Sequence, residues 1–116
     1  MYSPDPLTPA VFHILLAIAD GEKHGYGIMQ EVSGKTDGKV LLGPGTLYGT
    51  INRMLEGGLI EESVERSDPD MNDERRRYYR ITGKGRCAAV AEAERLQKLV
   101  RVARAKHLLQ KPRPVF

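Results

Sequence analysis

With 116 residues, 28% of them charged and 41% hydrophobic, the chain has room for one domain. No apolar run approaches the roughly 20 residues of a membrane-spanning helix, the start lacks a secretion signal and the single cysteine cannot form an internal disulfide, so we expect a cytoplasmic protein. The net charge of +3 is uneven: residues 1–94 hold 11 Lys and Arg against 15 Asp and Glu, whereas residues 95–116 hold 7 basic residues and no acidic ones.

Two short helices are predicted in the first third of the chain. Thr8 and Pro9 form a typical helix start, and apolar residues then recur at helical spacing until Asp20. A second helix is expected over residues 24–33, with Tyr26, Met29 and Val32 buried and Gly27 allowing close packing. Residues 34–42 connect it to the next helix and have room for a short strand. The apolar face of the first helix comprises Leu7, Val11, Ile14, Leu15 and Ile18.

Residues 43–60, GPGTLYGTINRMLEGGLI, predict a helix with two different faces. Thr46 is expected to cap the helix and Gly57-Gly58 to end it. One side carries a core-facing stripe, and the opposite side is small and polar, with Thr46 and Tyr48 on its flanks. Glycine inside a helix costs roughly 1 kcal/mol relative to alanine, so Gly49 suggests close approach of another surface. An incidental glycine in an ordinary core helix is the alternative. The stripe comprises Leu47, Ile51, Met54 and Leu55, and the polar side Gly45, Gly49, Asn52 and Arg53.

A hairpin is predicted directly after this helix. Residues 59–65 alternate as a strand, residues 66–74 form a polar turn and residues 75–81 form the returning strand. A helix followed by such a hairpin is typical of a winged helix-turn-helix, in which the helix enters the DNA major groove and hairpin arginines reach phosphates or the minor groove. Arg75, Arg76 and Arg77 suit that task, although four nearby carboxylates would be repelled by phosphate.

The last helix is predicted to run from its cap at Thr82 to Leu108, with Cys87 packed near its start. Its apolar residues follow the spacing of a helix that pairs with another. Because so small a domain has little core to spare, we expect a homodimer, the alternative being a helix that folds back on its own domain. The predicted interface comprises Val11, Phe12, Leu15, Ala89, Ala93, Leu96, Leu99, Val100 and Ala103.

Three segments, HGYGIMQEV, GPGTLYGTINRMLEGGLIE and RRYYRITGKG, together resemble the PadR family of transcriptional regulators over residues 7–109. The resemblance implies a mainly α fold with a small β wing: a winged helix-turn-helix DNA-binding domain (residues 1–82) and a C-terminal dimerisation helix (83–109). Because two prolines end this helix, residues 110–116 are expected to form a flexible tail or a crossing arm. The resemblance further implies that Tyr48 contacts the operator backbone. A small hydrophobic or aromatic effector near the dimer interface is also implied, although interface packing explains the same residues.

We therefore expect a ligand-responsive repressor that binds double-stranded DNA with an inverted repeat as a homodimer. The alternative is a winged-helix adaptor that binds another protein, which the acidic balance of residues 1–94 favours. An enzyme, a metal site or a cofactor is not expected, because the three histidines are far apart in sequence and no phosphate-binding loop is present. The predicted DNA contacts are Lys23, His24, Tyr26, Thr46, Tyr48, Gly49, Asn52, Arg53, Arg75, Arg76 and Arg77.

Overall fold

The computed structural model describes residues 5–63 and 77–110, which form four helices and one three-stranded antiparallel sheet. The strands lie in the order β1-β3-β2. This architecture confirms the predicted mainly α fold with a small β wing. In chain order the elements are α1 (Pro9–Ile18), β1 (Lys23–His24), α2 (Gly25–Lys35), α3 (Pro44–Glu56), β2 (Ile60–Ser63), β3 (Tyr78–Ile81) and α4 (Gly83–Ala105).

The hydrophobic core lies between α1, α2, α3 and the inner face of the sheet. The Thr8 hydroxyl caps α1 by accepting a hydrogen bond from the Val11 amide, 3.3 Å away, as the sequence indicated. Leu15 is fully buried in this core, so its predicted place in a dimer interface is wrong, since it has no surface left for a partner. The fully buried large side chains include Ile14, Leu15, Ile18, Ile28, Leu47, Ile51, Met54 and Ile60.

Helix α2 buries only part of the predicted face, since Val32 is buried and Met29 packs against the core as expected but Tyr26 does not. Gly25, Ile28 and Val32 face the core, whereas Tyr26 is 58% exposed, because it lies about 100° around the helix from Gly25. The short strand suggested for residues 34–42 is also wrong, since that segment turns through left-handed backbone at Asp37 and Gly38. The third strand is β1, which precedes α2 and pairs with β3.

Helix α3 begins two residues earlier than its predicted cap. Gly43 is the N-cap residue and Pro44 occupies the first turn, so Thr46 lies inside the helix and its predicted capping role is wrong. The core-facing stripe is confirmed, with Leu47, Ile51 and Met54 buried. The predicted left-handed exit is confirmed at Gly58, whose φ is +76°.

The two long strands of the wing pair in antiparallel register, with Ile60 opposite Ile81 and Ser63 opposite Tyr78. Tyr79 on β3 is buried and joins the sheet to the core. The turn between these strands, including Arg75 and Arg76, lies outside the described residues. Predictions about those two arginines therefore stay predictions.

Helix α4 packs on the domain only through its first half. The Thr82 hydroxyl caps it as predicted, by accepting from the Gly85 amide at 3.0 Å. Gly85, Ala88 and Glu92 are buried, but beyond Glu92 the helix buries no described residue. Its last residue is Ala105 and not Leu108. Cys87 is exposed, so its predicted packing is wrong. No helix in the described ranges is long and apolar enough to span a bilayer.

Candidate nucleic-acid interface

The outer face of α3, formed by Gly45, Thr46, Gly49, Asn52 and Arg53, is a shallow polar surface. All of these residues are exposed except Gly49, which is half-buried. A β-carbon at Gly49 would approach only the Arg53 guanidinium, at 3.8 Å. Packing among the described residues therefore does not require glycine there. The low profile leaves this face open to a large molecule approaching from outside the subunit.

Arg53 is held along this face by a chain of two hydrogen bonds. Its Nη2 donates to Thr50 Oγ1 at 3.2 Å, and that hydroxyl in turn donates to the Thr46 carbonyl at 2.7 Å. Thr50 is buried, so the chain is anchored beside the core. Thr50 was not among the predicted site residues, although its position one turn before Met54 and one turn after Leu47 placed it at the edge of the stripe. The guanidinium is thus pre-positioned and still exposed.

Tyr48 lies on the flank of α3 where the helix meets the N-terminus of α2. A β-carbon at Gly25 would lie 2.5 Å from the Tyr48 hydroxyl oxygen and 2.8 Å from its Cζ. Any other residue at position 25 would require the Tyr48 ring to move from this place. This contact brings a phenol to the first turn of α2, where backbone amides are not used by the helix itself.

His24 joins α2 to the wing. Its Nδ1 accepts from the Gly27 amide at 2.9 Å, which makes it the cap of α2. Its ring meets Tyr78 edge-on at a centroid distance of 5.3 Å and lies 6.4 Å from the Tyr26 ring. The predicted DNA contacts His24 and Tyr26 are therefore adjacent, and the histidine also has a structural role.

Lys23 is engaged within its own subunit. Its ammonium donates to the Ala17 carbonyl at 2.6 Å and to Asp20 at 3.1 Å, and Glu31 lies 3.5 Å away. The hydrogen bond from Lys23 holds the pKa of Asp20 below its ordinary value. Because two carboxylates already balance this charge, the Lys23 ammonium would attract DNA phosphate less strongly than its sequence position suggested.

The described part of the wing also balances its own charge. Arg77 pairs with Glu62 at 3.1 Å, and Arg80 pairs with Glu61 at 2.8 Å, across the two strands. Both pairs are exposed, so each is worth roughly 0–1 kcal/mol and could be exchanged for phosphate contacts. Arg77 is thus accessible, but it carries little uncompensated charge.

An apolar stripe runs along the second half of α4, formed by Leu96, Leu99, Val100 and Val102. All four side chains are exposed in the single subunit. Of the other predicted interface residues, Ala93 is exposed, Val11, Phe12 and Ala103 are half-buried, and Ala89 packs on the core of its own subunit. Leu16 on α1 is also exposed, and it lies outside the predicted apolar face of that helix.

The described residues contain no group of three or more His, Cys, Asp or Glu side chains placed to hold a metal ion. Glu92 is the buried carboxylate of α4, and it accepts from the Leu7 amide at 2.9 Å and from the Arg95 guanidinium. The Arg95 hydrogen bond, followed by that from Leu7, holds the pKa of Glu92 below its ordinary value. This acid therefore stabilises the fold and does not belong to a site.

Comparison with known proteins relates the chain to bacterial regulators. Residues 14–91 match the transcriptional regulator PadR-like family. The transcriptional regulator Rv3488 of Mycobacterium tuberculosis is 38% identical over 91 residues, which are 77% of each protein. These relatives are regulators, which agrees with the expectation that the chain is not an enzyme.

Solved structures share the fold. A transcriptional regulator from Clostridium thermocellum superposes with a TM-score of 0.67 at 26% identity, covering 83% of this chain and 87% of that one. Bacillus subtilis PadR, solved in complex with operator DNA, gives a TM-score of 0.60 at 16% identity, covering 96% of this chain and 53% of that one. The second likeness concerns the fold alone.

Proposed function

Because this chain belongs to the PadR-like family of transcriptional regulators, we propose that it is a repressor that binds inverted-repeat operator DNA as a homodimer. The outer face of α3 carries this proposal. It is exposed, low and polar, and it presents an amide at Asn52 and a guanidinium at Arg53, the side-chain types that hydrogen-bond base edges in the major groove. The operator complex of the Bacillus subtilis relative supports DNA as the partner.

The backbone contacts proposed for the operator lie beside this face. Tyr48 meets the N-terminus of α2 at Gly25, and we propose that Tyr26 and Arg77 on the wing also contact the operator backbone. Backbone amides and tyrosine hydroxyls are common phosphate ligands and fix the register of a protein on DNA without reading sequence. Since the described wing arginines are paired with carboxylates, α3 and its α2 flank would supply most of the affinity.

The α4 stripe supports dimerisation. Four exposed aliphatic side chains on one helix are costly to leave in water, and a second copy of the same helix could bury them at about 25 cal/mol per Å². A two-fold dimer presents its two recognition helices to half-sites about one helical turn apart, which explains why we propose an inverted repeat.

The proposed regulation is by a small hydrophobic or aromatic effector at this interface. Phe12 and the stripe residues Leu96 and Leu99 would line such a site, while Leu15 is excluded by its burial. An effector that binds one relative placement of the subunits better than another would change the distance between the two α3 helices. Operator affinity would change with it, since a ligand shifts an equilibrium only through differential binding.

Selection of bound sequences from random double-stranded DNA tests this proposal. We expect enrichment of an inverted repeat whose half-site centres are about 10 bp apart. Enrichment of one unrepeated half-site would contradict dimeric binding. No enrichment at low salt without competitor DNA would contradict DNA binding and favour the protein-interaction adaptor.

A further inference from the structure

We infer that Thr82, Lys84 and Gly85, at the start of α4, are positioning residues that hold the recognition helix in a fixed orientation to the dimerisation helix. Through this contact they set which half-site spacings the dimer accepts. We call the contact of these residues with Gly57, Gly58 and Leu59 the α3–α4 joint. The inference rests on the proposed operator binding, and it assigns to the joint a role in choosing operators.

Lys84 holds the end of α3. Its ammonium donates to the carbonyl of Gly57, the C-cap residue of α3, at 2.9 Å. The last carbonyls of a helix have no partner within it and lie at the negative end of the helix dipole. A lysine there donates a hydrogen bond to an unpaired carbonyl and places a positive charge near that end. The lysine belongs to α4, which makes this cap a bond between two helices 27 residues apart in sequence.

Thr82 adds a second bond with the same hydroxyl that begins α4. Its Oγ1 donates to the Gly58 carbonyl at 2.6 Å and accepts from the Gly85 amide at 3.0 Å. Gly58 is the left-handed residue by which the chain leaves α3. One hydroxyl thus ties the exit of α3 to the N-cap of α4.

Gly85 provides the closest approach of the joint. A β-carbon at this position would overlap the Leu59 carbonyl and would lie 3.1 Å from Ile81 Cγ1. The first atom in its way is backbone, which cannot swing aside as a side-chain tip can. Helix α4 therefore sits directly against the chain that follows α3, with no intervening side chain to allow sliding.

The joint matters because each dimer carries it twice. One path from one recognition helix to the other runs through one joint, the two α4 helices and the second joint, and a parallel path runs through the packing of α4 on α1. A rotation at the joint is therefore applied once in each subunit, and it changes the separation of the two α3 helices. Simultaneous binding of two half-sites depends on that separation, whereas binding of one half-site does not.

The test compares Lys84→Met with Lys98→Met, a matched change at an exposed lysine of the same helix, and Thr82→Ala with Thr82→Ser, which keeps the hydroxyl. Each protein is titrated with a single half-site duplex, the selected operator, and operators with one base pair added or removed between half-sites. Thermal unfolding identifies any variant that fails to fold.

We expect Lys84→Met and Thr82→Ala to lose at least about fivefold in operator affinity, to change less than about twofold on the half-site and to discriminate less between spacings. Lys98→Met and Thr82→Ser should match the wild type. Equal losses on operator and half-site, or unchanged spacing preference, would overturn the inference alone. Failure of the wild-type protein to bind any duplex would overturn the proposed function as well.

Discussion

The hydroxyl oxygen of Tyr48 lies 2.5 Å from the position that a β-carbon on Gly25 would occupy. Helices α2 and α3 therefore meet at a glycine, and the tyrosine ring fills the space that a side chain would take. The contact determines where the phenol points, and it ties one proposed backbone contact to the first turn of α2.

Gly25→Ala tests this relationship. The added methyl group must displace Tyr48, so we expect a loss of about 1–3 kcal/mol in unfolding free energy, as for other overpacked sites, and weaker operator binding. Gly34→Ala is the matched control, because a β-carbon there meets nothing within 4 Å in the same helix. The control should be neutral or stabilising by up to about 1 kcal/mol. Equal effects in urea titrations of the two variants would refute the tight contact.

Gly49→Ala should affect stability and DNA binding in opposite directions. The site has space for a methyl group, so alanine should stabilise α3 by about 0.5–1 kcal/mol in thermal unfolding. Operator affinity should fall, because the methyl group projects from the outer face of α3 where DNA is proposed to approach. A stabilised protein with unchanged affinity would show that DNA does not come close to position 49.

Glu92 should make the fold sensitive to acid. Its folded-state pKa is lowered by Arg95 and by the Leu7 amide, so its contribution is fully present above the unfolded-state pKa of about 4.3 and is lost as pH falls through the folded value. Glu92→Gln should have a lower unfolding free energy than the wild type at pH 7. Between pH 5 and pH 3 the variant should lose less further stability than the wild type does, and the difference should be about the amount that Glu92 contributes. Glu94→Gln, an exposed neighbour, should follow the wild-type pH profile. Parallel profiles for all three proteins would exclude this role.

Leu99→Asp should separate the subunits. Leu99 is 54% exposed in the single chain and lies in the α4 stripe, so a carboxylate there would be buried without a partner in a dimer. We expect the dimer to weaken by at least about 2 kcal/mol in analytical ultracentrifugation. Leu41→Asp places the same charge on a leucine of the α2–α3 connection that is 74% exposed, and it should leave association unchanged. Identical sedimentation of both variants would argue against the stripe as the interface.

Much of the fold could be predicted because its signals are local. The Thr8 and Thr82 caps, the stripe of α3 and the left-handed Gly58 follow from short patterns whose physical cause lies within a few residues. Strand β1 could not be predicted in the same way. It consists of two residues, and its pairing with β3 depends on a contact more than 50 residues away in sequence.

The site was harder to predict because it depends on which side chains already form ion pairs or pack in the core. The outer face of α3 was readable as a small polar helix side. The pairing of Lys23 with Glu31 and of Arg77 with Glu62 could not be predicted in this way, because those partners come from separate elements. The burial of Leu15 depends on how α1 packs, since an apolar helix face serves a core and an interface equally well.

The affinity of Arg53→Ala for the selected operator and for a scrambled duplex shows whether the outer face of α3 reads operator sequence. Arg101→Ala, at an exposed arginine of α4, is the matched control. We predict that Arg53→Ala loses about 1–3 kcal/mol on the operator and much less on the scrambled duplex, while the control binds both as the wild type does. Wild-type affinity of Arg53→Ala for both duplexes would contradict the claim.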